Sequence, residues 1–367
     1  LCFASNTSDH FFQSLLSKIE ELSAKCAGVT VFFDLELGRI QSPPEDERLR
    51  EWSYSMKKSR DRASHMLSEE LEAYGMEKSL TGSVAFSGLF DELAGEFKFE
   101  ETQNGETKTF SQETALATLH NPDREMRTRV YRRFLGKVGE SKTVLTNIYN
   151  NIMLDHRLEC ARRGFSNVME SRCLDNQVSL EAVENMLAAA EKGYEIARKY
   201  YQLKAKVTGL SDFTNADIYS PIGGRVRNFN FNEARDIVLD AYTKFHPEAG
   251  SIVKKFFDDR RIDSALREGK RPGAFCYGAT PDLDAFVHMN YTGEIRSVQT
   301  LAHELGHGLH HQLARRQNHL NISTPLTTAE TASVFGEILV NELLIEKYSD
   351  PEEKLAVMAS QMESSLA

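Results

Sequence analysis

The sequence predicts a mainly α-helical protein with two small β elements, and three observations carry that prediction. Apolar residues recur at helical spacing: Phe11, Leu15, Ile19 and Leu22 form one stripe, and Leu145, Ile148, Ile152 and Leu158 another. Alternating runs at residues 97–100 and 107–110 flank Asn104-Gly105, which is a β-hairpin signal. Two short runs, residues 274–277 and 285–291, read as strands of a small sheet just ahead of another helical segment. At 367 residues the chain is long enough for a large core and more than one lobe.

In chain order, residues 8–25 read as a helix, while residues 30–37 (T-V-F-F-D-L-E-L) suit a strand or a helix equally. Pro43-Pro44 breaks the chain, and residues 45–72 are charged and helical in two pieces. Gly75 and Gly82 mark loops. After the hairpin, Pro122 opens a helix through Leu135, and residues 143–163 form a long one. Ser179 caps the longest helical segment, 180–207, where Glu181 and Glu184 favour the N-terminus and Gly209 ends it. Residues 214–230, with Pro221, Gly223 and Gly224, are loop-like; helices follow at 231–245 and 250–259. A boundary near 208–215 divides the chain into a helical N-terminal lobe, 1–208, and a second region, 209–367.

Composition narrows the partners. A net charge of −10 argues against nucleic acid. No run of 18 apolar residues is present, so no transmembrane helix and no membrane partner is expected. Cys2, Cys26, Cys160, Cys173 and Cys276 are odd in number and lack C-x-x-C spacing, which points to reduced thiols and a cytoplasmic setting. The sequons at Asn6, Asn290 and Asn321 are then chance matches. The start at Leu1 and the uncapped amphipathic run 352–367 suggest a fragment of a longer chain.

The chemistry concentrates in His303-Glu304-Leu305-Gly306-His307, an H-E-x-x-H motif. On a helix, residues i and i+4 share a face, so His303 and His307 can aim ring nitrogens at one zinc ion. Glu304 is then placed as a general base toward water. A surface helix rich in His303, His307, His310 and His311 is the plainer reading, but it leaves Glu304 without a purpose.

A catalytic zinc takes three protein ligands. The extended pattern H-E-x-x-H-x-x-G-x-x-H fails, because His310 and Leu313 stand at its last two fixed positions. His310 lies roughly 10 Å along the axis from His303, too far to share the ion, and belongs to the surrounding cleft. The next helical run offers Glu330 and Glu337, seven residues apart on one face. Spacing favours Glu330, yet Thr327-x-x-Glu330 also matches a capping box that would turn it to backbone. Glu337 reads as a solvated charge or as a partner for a ligating histidine.

The strands 274–277 and 285–291 offer a sheet edge to which a peptide backbone could pair, or they are ordinary core sheet.

These residues carry a resemblance. Residues 269–276 (G-K-R-P-G-A-F-C), 286–293 (F-V-H-M-N-Y-T-G), 300–310 (T-L-A-H-E-L-G-H-G-L-H) and 329–333 (A-E-T-A-S) resemble the oligoendopeptidase F branch of the thimet oligopeptidase-like zinc peptidases. The resemblance implies a helical, two-lobed metallopeptidase fold around a deep channel. It implies one Zn2+ per chain held by His303, His307 and Glu330, with Glu304 as catalytic base. It further implies that Gly273, Ala274, Phe275, His288, Met289, Asn290 and Tyr291 bind substrate backbone; His310 and Glu337, from spacing, are the candidates to support the ligands. The expected activity is endopeptidase cleavage of short oligopeptides, since a narrow channel excludes folded proteins. The resemblance also implies a segment with tyrosine and histidine that stabilises the oxyanion, expected beyond Ala367. The rivals are a non-catalytic peptide-binding protein whose zinc is structural, with a fourth ligand such as His310, and a helical scaffold without metal.

Overall fold

Side-chain caps fix where most of the helices begin. The computed structural model describes residues 1–40, 46–103, 106–222 and 227–366. The first half runs α1 (Cys2–Ser5), α2 (His10–Arg39), α3 (Ser53–Ala63), α4 (Glu69–Ser79) and α5 (Ser83–Gly95), then strands β1 (Phe99–Gln103) and β2 (Glu106–Phe110). Next come α6 (Gln112–Thr118), α7 (Arg124–Glu140), α8 (Lys142–Arg162), α9 (Val168–Asn176) and α10 (Leu180–Val207). Carboxylate or hydroxyl oxygens of Asp9, Asp123 and Ser179 accept the first free N–H groups of α2, α7 and α10.

The second half runs α11 (Phe231–Phe245), α12 (Pro247–Asp258), β3 (Ile262–Asp263), β4 (Phe275–Tyr277), β5 (Phe286–His288), α13 (Ile295–Ala314), α14 (Leu326–Lys347) and α15 (Pro351–Leu366). Asn230 and Glu233 close a reciprocal capping box on α11. The small sheet has order β3-β5-β4: β5 pairs parallel to β3 and antiparallel to β4, with Cys276 opposite Val287. The hairpin is antiparallel, with Phe99 opposite Phe110.

The mainly α-helical class with small β elements is what the structure shows. Several local readings change. Residues 30–37 are helical, because α2 continues to Arg39 with Val31 buried. At 30 residues α2 exceeds α10, which has 28. Gly75 marks no loop; it lies inside α4. The Pro43-Pro44 break, the Asn104-Gly105 turn and Gly223-Gly224 lie outside the described residues.

The larger core lies under α13. It joins Val238 and Tyr242 of α11, Val253 and Phe256 of α12, Val287 and Met289, Leu301 and Leu305 of α13, and Val340 and Leu344 of α14. A buried polar chain fixes the register of three helices: Gln299 Nε2 donates to Asn341 Oδ1 at 2.8 Å, and Ser360 Oγ donates to Gln299 Oε1 at 3.0 Å. A second core joins Phe97, Phe99, Ala115, Leu119 and Val130. The two halves meet where the Gly273 N–H donates to Glu113 Oε1 at 2.8 Å. No helix among the described residues is long and apolar enough to cross a membrane.

Candidate metal centre

The site is built by two helices brought unusually close. Gly306, inside the H-E-x-x-H turn of α13, faces α14 so tightly that a Cβ would sit 2.4 Å from the Ala332 carbonyl oxygen. Gly336 answers from α14, where a Cβ would meet the Ala302 carbonyl oxygen at 2.5 Å and the Tyr242 hydroxyl at 2.1 Å. With both positions free of side chains, the backbones approach and the carboxylates of α14 reach the histidines of α13.

The side chains of His303, His307 and Glu330 converge, with one ligand atom from each lying within 4.8 Å of the others. Glu330 Oε2 is 3.3 Å from His303 Nε2 and 3.7 Å from His307 Nε2. Donors at about 2.1 Å from a tetrahedral ion stand roughly 3.4 Å apart, so this set fits zinc. Side-chain exposures of 25%, 20% and 43% keep the cluster open to solvent. His310 is not part of the cluster.

His303 is held from behind. Glu337 Oε1 accepts from His303 Nδ1 at 2.6 Å, and the His307 ring hydrogen-bonds the Ala329 carbonyl. A proton fixed on His303 Nδ1 leaves its Nε2 lone pair facing the cluster. Burial lowers the His303 pKa, but the Glu337 hydrogen bond and the charges of Glu304, Glu337 and Glu330 outweigh it and raise the value. Burial dominates at His307 and lowers its pKa.

Glu304 is only 4% exposed. The Cys276 backbone N–H hydrogen-bonds its carboxylate, while Oε2 is buried without a partner among the described residues. Burial, reinforced by Glu330 and Glu337, pushes its pKa up to about 7 against the opposing pull of His303 and that N–H. A buried acceptor without a donor is costly unless a ligand or water uses it.

The capping-box alternative for Glu330 does not form. Helix α14 starts at Leu326 after Pro325, so Thr327 is already inside it, and its hydroxyl donates to the Asn176 carbonyl. The segment 273–291 meets the centre at Cys276, whose backbone N–H faces Glu304. His288 and Met289 are buried, and Phe275 stacks on His288 with centroids 4.8 Å apart. Asn290 Nδ2 donates to the Arg271 and Gly273 carbonyls, and the Tyr291 hydroxyl to the Phe229 carbonyl. Most of these side chains brace the segment, while Gly273, Ala274 and Asn290 line a cavity of about 300 Å³ with Arg296 and Thr300. Thr300, Cys276 and Ser333 stand in the stretches that carry the resemblance but receive no role from it, and the sequence does not single out Glu113; Cys276 and Glu113 act through contacts between distant segments, Ser333 through a contact one turn away on its own helix.

A helix carrying two histidines and a buried glutamate, crossed by a second helix that adds a carboxylate, defines the class of helical H-E-x-x-H metal centres. Within that class the chain belongs to peptidase family M3, whose family model matches residues 117–367. Residues 38–99 match a second family model, described as Oligopeptidase F. The chain is 24% identical over 371 residues to oligopeptidase PepF of Bacillus subtilis, covering 98% of this chain and 55% of that protein. It is 25% identical over 278 residues to the chromosomal oligoendopeptidase F of Lactococcus lactis subsp. cremoris, covering 75% of this chain and 46% of the relative. It thus spans about half the length of these relatives. Among solved structures, PZ peptidase A with an inhibitor superposes with a TM-score of 0.84 at 17% identity, over 99% of this chain and 64% of that one. Oligoendopeptidase F from Enterococcus faecium superposes with a TM-score of 0.63 at 17% identity, over 98% and 59%. These likenesses establish the fold.

Proposed function

We propose that this chain carries the metal-binding part of a zinc-dependent endopeptidase that hydrolyses peptide bonds in short oligopeptides. The observation that carries the proposal is one juxtaposition. His303, His307 and Glu330 present a zinc-type donor set beside Glu304, whose Oε2 is buried and unpartnered. In this reading His303, His307 and Glu330 hold one Zn2+ per chain, which when bound supplies Lewis-acid polarisation and lowers the pKa of water towards about 7.

Glu304 is the general base. Its Oε2 takes a proton from the water that attacks the scissile carbonyl, and the protonated carboxyl passes it to the departing amine as the C–N bond breaks. The Cys276 N–H holds the carboxylate in place through this exchange. Glu337 holds the His303 imidazole in the tautomer that keeps Nε2 free. The cavity of about 300 Å³ against Gly273, Ala274 and Asn290 accepts part of an extended peptide. Its substrates are short peptides, in keeping with the names of its relatives, oligopeptidase and oligoendopeptidase. A cytoplasmic setting, proposed from the scattered cysteines, belongs to the same reading. A closed structural zinc would require a fourth side chain, and His310 stands outside the cluster.

The test is cleavage of a short quenched-fluorescence peptide by the zinc-loaded protein and by Glu304→Gln. The substitution is expected to leave zinc content unchanged and to lower the rate about 10²–10⁴-fold, the usual worth of a positioned acid–base group. Undiminished cleavage by Glu304→Gln refutes the assigned base.

A further inference from the structure

Ser333 lies three residues after Glu330 on α14, wholly buried in the α13–α14 interface, where a Cβ on Gly306 would come within 2.8 Å of its Cα. Its Oγ is 2.9 Å from the Glu330 backbone carbonyl and 2.8 Å from Glu330 Oε2. A hydroxyl carries one hydrogen, so it serves one of these acceptors at a time. The carbonyl bond is ordinary for a serine inside a helix. The carboxylate bond is specific to this site, because Oε2 is the oxygen that faces both histidines.

We propose that Ser333 is a positioning residue for the metal centre, holding Glu330 in the rotamer that completes the donor set. The inference rests on the zinc reading above. Glu330 needs such a hold. Its side chain is 43% exposed, and a long carboxylate in water samples many rotamers. Its other close polar neighbours are His303 Nε2 and His307 Nε2, which turn lone pairs towards a bound ion and so donate nothing to it. Ser333 is therefore the donor, among the described residues, that remains when the centre is loaded. Its burial fixes the hydroxyl, and the charge-assisted bond falls on Oε2 itself, the oxygen that faces both histidines, leaving that oxygen's other lone pair for the ion.

Zinc affinity measured by competition with a chromophoric chelator tests this without any need for turnover. Ser333→Ala is expected to weaken zinc binding about 10-fold, the lower end of the usual effect of an outer hydrogen-bond partner. Urea unfolding of the metal-free protein should be little changed, since serine and alanine fill nearly the same space. In a Glu330→Gln background, Ser333→Ala should cost nothing further, because the carboxylate it holds is gone. Wild-type affinity in Ser333→Ala, or an equal loss in both backgrounds, overturns the positioning role. Absence of zinc binding by the wild-type protein overturns the metal reading itself, and this inference with it.

Discussion

Glu330 and Glu337 stand seven residues apart on one helical face, and spacing favours Glu330 as the ligand without deciding it. The structure separates them by the nitrogen each one meets. Glu330 faces Nε2 of both histidines, and Glu337 sits on Nδ1 of His303. In the proposed centre the first is a ligand and the second sets the tautomer and orientation of a ligand. Glu337→Ala should therefore weaken zinc binding about 10–100-fold while leaving a single site per chain, as read by chelator competition. Affinity equal to that of the wild type would remove Glu337 from the centre. The histidines and Glu304 were legible because the motif packs them into five residues of one helix. The Cys276 N–H was not, because a backbone donor has no pattern until folding brings it to a carboxylate; Ser333 stands one turn from Glu330 on α14, but a serine at that spacing is ordinary in a helix and does not announce the bond.

At the scale of elements, the close crossing of α13 and α14 sets the distances. A glycine inside a helix reads, from sequence alone, as a weakness or a break, which is why Gly75 suggests a loop although it lies within α4. Gly306 shows the other use of the residue. With a Cβ placed 2.4 Å from the Ala332 carbonyl oxygen, Gly306→Ala must push the two helices apart. Alanine regains roughly 1 kcal/mol of helix propensity. Overpacking against backbone costs about 1–3 kcal/mol. The expected outcome is a lower urea midpoint for the metal-free protein together with weaker zinc binding, since Glu330 moves with α14. Unchanged midpoint and affinity would show that the helices do not need this approach. The helices themselves were legible from apolar periodicity and caps such as Ser179. The stretch 30–37 was ambiguous, because its β-branched and aromatic residues suit either state and packing around Val31 decides for helix.

Across the whole molecule, charge pairs between distant segments hold the N-terminal helices to the turn that follows α10. Asp217 is fully buried and accepts from Arg124 and Arg127 of α7, about ninety residues earlier in the chain. Nothing in the local sequence announces such a pairing. Burial raises the Asp217 pKa, but hydrogen bonds from Arg124, Thr214 and Arg127 outweigh it and hold the carboxyl well below the usual range. A depressed carboxyl contributes stability that is complete above its unfolded pKa, about 3.9, and is lost as pH falls through the folded value. Acid unfolding should therefore set in below about pH 4. Asp217→Asn should flatten that pH dependence and lower stability at neutral pH by about 3–5 kcal/mol, because Arg127 is left charged and buried. An unaltered acid profile would contradict this. Zinc in the proposed centre would act at the same scale, since an ion that binds only the folded chain raises its melting temperature. The central claim is that α13 and α14 together form one zinc centre. Calorimetric titration of the metal-free protein with Zn2+, alongside His307→Ala and Glu330→Gln, tests it most directly. One site per chain that is lost or strongly weakened in both variants is the predicted result; tight binding that survives both substitutions, or no binding at all, would contradict it.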